Sequence, residues 1–287
     1  VVDTIIRTYL GKVTGSQVRF CPSSKLEKTK INPNIPSIII DLFKWLSLDE
    51  NHGQVFVSNS LNYLAVAKNG LTEDEIIDIL SEDPDVLKDF DKQSRHKLIT
   101  YNGKIKLPIV LWSRFYHDIE PYLANRRADG TITLNFFHSQ FQKAIIKYYL
   151  TTKVRKRNHL ILARYFGKQK INPRKISELP YNLIHSLPSR FNDNEKEEES
   201  LIVQQAAECL INVSKDSKGD LAKHIEEIEP IGKWLFNINN HENVIGLVDD
   251  TLEEIENQCY WTHIEKFLAI GIKSAENLNL IDKKALF

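Results

Sequence analysis

The chain of 287 residues contains no methionine and only three cysteines. Cys21, Cys209 and Cys259 lie far apart and are odd in number, so they build neither a disulfide framework nor the paired spacing of a structural zinc site. We expect reduced thiols and a cytoplasmic protein. No apolar run approaches the roughly 20 residues that a membrane-spanning helix needs. The longest candidates, Ile38-Ile39-Ile40 and Ile145-Ile146, are short. Net charge is also missing, since 38 Lys plus Arg balance 38 Asp plus Glu. That balance argues against a whole surface built to grip nucleic acid or anionic lipid. The opening Val1-Val2-Asp3 lacks the cationic leader and apolar stretch of a secretory signal. This start, with the absent methionine, leads us to expect part of a longer polypeptide.

Motifs that carry chemistry are absent as well. There is no GxxxxGK[ST] phosphate loop, no HExxH and no GxSxG. Ile38-Ile39-Ile40-Asp41 has the outline of a strand ending in a magnesium-holding aspartate, which means little without a phosphate loop. His117 and Asp118 are adjacent, but neighbours on a helix point about 100° apart, so a structural role is expected for them. We therefore expect no independent catalytic centre and no metal site in this chain.

Hydrophobic residues make up 42% and charged residues 26%, ordinary globular usage. The length suits roughly two domains. Helical periodicity dominates, and a mainly α fold follows. Short helices are expected at 1–10 and 38–48, with a proline-rich join between them at 21–37. Residues 55–67 read as an apolar helix closed by Asn69-Gly70. Thr72 with Glu75 forms a capping box and starts a second helix, which stops near Ser81-Glu82-Asp83-Pro84. Pro108 opens a third, running to Leu123. Arg126-Arg127-Ala128-Asp129-Gly130 is a turn signal, and 131–136 alternates as a strand does. A helix from about Ser139 to Leu150 closes this region. Helix, capped helix, helix, turn, strand and helix are the parts of a winged-helix domain. Beyond it the chain reads as wholly helical, with helices near 157–166, 176–187, 200–213, 219–228, 230–236, 241–257 and 260–279. An acidic loop at 192–199 interrupts them. We divide the chain into a joining segment 1–50, a winged-helix domain 51–150, and a helical bundle or repeat-like domain 151–287.

One series of residues resembles a known family. Phe136-Phe137-His138-Ser139-Gln140-Phe141-Gln142, ending Tyr148-Tyr149-Leu150, is similar to the winged-helix signature of NACHT-type STAND ATPases. Leu64 to Ala67 with Asn69-Gly70-Leu71-Thr72-Glu73-Asp74-Glu75 resembles the first two winged-helix helices of that family. Leu111 to Leu123 resembles the third helix, and Asp129-Gly130 the wing turn. Ser177 to Ser186 is similar to a Glu-Leu-Pro-Tyr-His-Leu segment of the nephrocystin, telomerase-associated and prokaryotic antiviral (Avs) branches. The likeness covers about 55–190; residues 11–37 do not resemble the region that normally joins the ATPase core to the winged helix.

The resemblance implies a nucleotide-dependent switch. It holds ADP in a closed state, exchanges it for ATP with magnesium on meeting a trigger, oligomerises and activates an effector. The nucleotide would be bound mainly by an ATPase core outside this chain. His138 would touch its β-phosphate, a charge-assisted bond worth roughly 1.5–3 kcal/mol. The structural alternative is that His138 only closes the strand-to-helix turn. The implied partners are the protein's own ATPase core and effector domains, a trigger protein such as a viral one, and further copies of itself. Antiviral defence is the expected setting.

A second function class rests on charge. Between Thr151 and Lys175 there are nine basic residues and no acidic one. Lys153, Arg155, Lys156, Arg157 and Arg164 are candidate contacts for nucleic acid or a partner protein. Asp118 and Glu120 on the third helix would repel a phosphate backbone. A winged-helix DNA-binding regulator and a helical protein-interaction scaffold are the two alternatives to the switch.

Overall fold

A computed structural model describes residues 35–93, 99–101, 104–186, 225–237, 239–257 and 261–282. The three cysteines, the expected helices at 1–10 and 200–213, the join up to residue 34, the acidic loop and most of 219–228 lie outside these residues. The chain divides into two compact units, with the boundary between Arg155 and Lys156.

The first unit is a winged helix. Helix α1 (Ile35–Leu46) buries Ile38, Ile39, Leu42, Phe43 and Leu46, a stripe with helical spacing. Ile38 to Asp41 is thus helix and not a nucleotide-site strand. Helix α2 (Gln54–Val66) is buried on nearly all sides from Phe56 onward and is the central element. Helix α3 (Glu73–Glu82) starts with the expected capping box: the Glu75 amide donates to Thr72 Oγ1 at 3.1 Å, and Glu75 Oε2 accepts from the Thr72 amide at 2.9 Å.

At Pro84 the expected stop is also a start. Helix α4 (Pro84–Gln93) begins there. Asp83 Oδ1 accepts from the Asp85 amide at 3.0 Å, and Asp83 Oδ2 accepts from the buried Tyr63 hydroxyl at 2.5 Å. Proline fits the first helical position because its missing N–H would have no partner there. A hairpin follows, β1 (Ile99–Tyr101) with β2 (Lys104–Lys106). Helix α5 (Ile109–Ile119) then runs into a short 3-10 turn, Glu120–Tyr122.

Strand β3 (Leu123–Ala128) pairs antiparallel with β4 (Thr131–Phe136) over six residues and forms the wing. Residues 123–128, expected as the end of the third helix and a turn, are therefore strand. Only Asp129 and Gly130 turn, both with positive φ, 51° and 78°, as a two-residue hairpin requires. Leu71 bridges to Leu134, whose amide donates to the Leu71 carbonyl at 2.8 Å. Helix α6 (Ser139–Tyr148) packs on α1, with the Phe43 ring 6.5 Å from Phe141 and 5.9 Å from Tyr149.

Helix α7 (Thr152–Gly167) crosses the boundary between the units. The second unit continues with α8 (Pro173–Ser186), α9 (Ile225–Asn237), α10 (His241–Asn257) and α11 (Trp261–Asn277), the last three packed on one another. Ile231, Leu235, Val244, Leu247, Val248 and Phe267 form their core. The fold is mainly α.

Candidate nucleotide-contact site

The wing strand β4 ends at Phe136, and the chain must turn there to enter α6. Three aromatic residues fix the turn. Phe141 is buried, lies 4.9 Å from the Tyr122 ring, and stacks nearly parallel to Phe136 at 6.5 Å. The Phe137 amide donates to the Tyr122 carbonyl at 2.9 Å. Between these anchors, His138 is half-buried and extended (φ −127°, ψ 132°), the backbone geometry of an N-cap. Its carbonyl accepts from the Phe141 amide at 3.0 Å, and its Nδ1 accepts from the Gln140 amide at 3.2 Å.

That bond has a chemical consequence. A neutral imidazole carries one proton, so a ring accepting at Nδ1 holds its N–H at Nε2. Nε2 makes no other hydrogen bond among the described residues. The N-terminus of α6 adds the positive end of a helix dipole beside it. The hinge can therefore present one ring donor to an anion while keeping its own turn closed. Gln140, which sets the tautomer, has no sequence signal of its own; its part follows from being two residues after the cap.

The five basic candidates on α7 do not form one surface. At about 100° per residue, Lys153, Arg157 and Arg164 fall within about 40° of one another, while Arg155 lies on the opposite side. Lys153, Arg155 and Arg164 are exposed; Lys156 and Arg157 are half-buried. Two further cations of the basic stretch point inward. Arg174 pairs with the fully buried Glu178 at 3.3 Å and lies over the Phe166 ring. Lys175 Nζ donates to the carbonyls of Gly167 and Gln169 at 2.9 and 2.8 Å. These two close the α7–α8 turn and fill the core.

Two features had no reading from sequence. His52 Nε2 lies 2.8 Å from Asp118 Oδ2, a pair 66 residues apart. Asp118 thus pairs with His52. Beside this pair a cavity of about 260 Å³ opens between the α1–α2 loop, α4 and α5, with Phe56, Val86 and Leu107 among its apolar walls and Asp49, Asp89 and Arg114 among its charged ones. No helix among the described residues is long and apolar enough to cross a membrane.

Similarity to known proteins agrees with this architecture. The family model described as "NWD1-like, winged helix-turn-helix domain" matches residues 41–156. Human NACHT domain- and WD repeat-containing protein 1 is 30% identical over 173 residues, 48% of this chain and 11% of that protein. The mouse protein of the same name is 28% identical over 179 residues. Mouse NACHT and WD repeat domain-containing protein 2 is 26% identical over 262 residues, 88% of this chain and 14% of that protein. The chain thus spans only a small part of these relatives. No solved structure matches it. Residues 41–156 are a winged-helix region related to those of NACHT/STAND proteins.

Proposed function

We propose that this chain is the regulatory and sensor-coupling part of a NACHT-type ATPase switch, with His138 contacting bound ADP in the resting state. The observation that supports this reading is the tautomer at the hinge: Nδ1 is taken by the Gln140 amide, which leaves Nε2–H as a donor at the N-terminus of α6. A nucleotide phosphate is an anion that such a pair of features suits. The relatives carry NACHT and WD repeat modules by name. By carry-over, the nucleotide and its magnesium sit in a NACHT module elsewhere in the full-length protein, and WD repeats supply the sensor. A contact made only in the closed form biases the switch by its own free energy. Release of that contact then couples the trigger to oligomerisation and an effector. The setting in antiviral defence, with a viral trigger, rests on the family resemblance. The exposed Ile109 and Val110 on the outward face of α5 favour this reading over a DNA-binding regulator, whose third helix meets phosphates and base edges.

The test must separate cap from contact. Asparagine is an excellent N-cap, but its side chain is too short to offer the distal donor. In the full-length protein, His138→Asn should keep stability and release ADP roughly 10- to 100-fold faster, as expected for one charge-assisted bond. His138→Ala should release ADP as fast and be less stable as well. Wild-type ADP retention in His138→Asn would show that the ring is only a cap.

A further inference from the structure

Two stripes of the winged-helix unit face solvent and carry opposite charge. At about 100° per residue, Ile109, Ser113, Tyr116 and Glu120 fall within about 60° of one another along α5. Glu120 keeps helical backbone (φ −47°, ψ −44°), so the stripe runs on through the end of the helix. Ile109, Ser113 and Glu120 are exposed, and Tyr116 is half-buried. Glu73 of α3 joins this edge. Its carboxylate accepts from Trp112 Nε1 at 3.2 Å, and the Trp112 ring lies 6.1 Å from that of Tyr116. Burial first, then Glu120 and Glu73, push the Tyr116 hydroxyl above its ordinary range, so both carboxylates bear on the same ring. Among the described residues no lysine or arginine forms an ion pair with either glutamate. Arg114 lies more than about 100° round the helix from the stripe.

Helix α6 is the reverse. Its ten residues include two lysines and no acid. Phe141, Ala144 and Ile145 face the core. Lys143, Ile146 and Lys147 stand outward at i, i+3 and i+4, all three exposed. Neither lysine makes an ion pair among the described residues. One stripe is an aliphatic side chain between two cations, and the other is an aromatic ring between two anions. Nothing joins them inside one copy. The lysine stems would add apolar cover to the tyrosine ring while their ammonium groups reach the carboxylates. Two α6 stripes, or two α5 stripes, would repel each other, so charge selects the mixed pairing.

We propose that two copies of this chain associate through these stripes, with Ile146 of one packed on Tyr116 of the other and Lys143 and Lys147 reaching Glu73 and Glu120. The contact needs neither nucleotide nor His138, so its failure would leave the hinge untouched. It assigns the outward face of α5, which would enter a groove in a DNA-binding winged helix, to a second copy.

Sedimentation velocity of the 287-residue chain tests it, from about 10 μM to about 1 mM. The average mass should rise with concentration in low salt and fall back towards the monomer when salt is raised about tenfold, as screening of exposed charges requires. A chain with Lys143→Glu and Lys147→Glu, and one with Glu120→Lys, should each associate at least about tenfold more weakly. Both change only exposed side chains, and thermal melting checks the fold; Lys147→Gln and Glu120→Gln should weaken association less and in the same direction. The decisive sample is the equal mixture of the two charge-reversed chains, in which complementary stripes meet again and association should return. A monomer throughout the range in low salt, association indifferent to salt or to the reversals, or a mixture no more associated than its parts would overturn the proposal.

Discussion

Two turns of the winged-helix unit are written in nearly the same letters, Asn69-Gly70 after α2 and Asp129-Gly130 at the wing tip. Both glycines have positive φ, 76° and 78°. Their surroundings differ completely. A Cβ on Gly70 would stand 2.3 Å from the Leu134 carbonyl oxygen and 2.3 Å from Asn135 Nδ2, whereas one on Gly130 would meet nothing within 4 Å. The dihedral is a local property and is readable from a two-residue signal. The crowding is not local. It arises because β4 returns more than sixty residues later and fastens itself to the α2–α3 turn. Leu71 and Leu134 exchange backbone hydrogen bonds, and Thr133 Oγ1 and Asn135 Nδ2 donate to the Asn69 carbonyl at 2.7 and 3.0 Å. One turn is a clasp and the other is an open tip.

Alanine at Gly70 has the largest expected effect. Left-handed backbone costs an alanine about 1–2 kcal/mol, and an added methyl against fixed backbone costs about 1–3 kcal/mol more. Gly70→Ala should therefore lose about 2–5 kcal/mol in urea unfolding, the sum of those two contributions. Gly130→Ala, with strain and no clash, should lose only about 1–2 kcal/mol. Equal losses would mean that β4 gives way at Asn135 and that the clasp is soft.

The same contrast runs through the whole chain. Signals complete within four residues were legible: the Thr72–Glu75 capping box, the start of α5 after Pro108 and the turn at Asp129-Gly130. Strand β3 was not, because Leu-Ala-Asn-Arg-Arg-Ala has no apolar alternation. It is a strand by virtue of its register with β4, from Leu123 opposite Phe136 to Ala128 opposite Thr131. Helix α4 was hidden because Asp83-Pro84 ends one helix and caps the next. At the candidate site, His138 was legible through family resemblance, whereas its tautomer depends on a bond to the Gln140 amide that no motif encodes. The cavity at His52 was invisible, since His52, Asp89 and Arg114 come together only after the α1–α2 loop, α4 and α5 have packed.

A smaller loss is expected from removing one thread of the clasp. Thr133 is fully buried, and its hydroxyl donates to the Asn69 carbonyl. Valine has nearly the same shape without the donor. Asn135 Nδ2 still serves that carbonyl, so no acceptor is orphaned. Thr133→Val should thus lose only about 1 kcal/mol, the net worth of one neutral hydrogen bond. A loss as large as that of Gly70→Ala would place most of the clasp in the hydroxyl, not in backbone fit.

The two turns also touch. Asn69 Nδ2 donates to Asp129 Oδ2 at 3.1 Å, so the clasp side chain reaches the open tip. If this contact carries the wing's position back to α2, the pair should show a coupling energy of about 0.5–1 kcal/mol in a cycle of Asn69→Ala, Asp129→Ala and the double variant. The cycle is needed because each single change also disturbs its own turn: asparagine and aspartate both tolerate the left-handed region better than alanine does, and Asp129 sits there at φ 51°. Asp129→Gly as a second route to the same cycle removes the carboxylate without that strain. The two routes should give the same coupling even though their single-variant losses differ. Zero coupling by both would leave the wing tip energetically separate from the clasp, joined to it only through the strands.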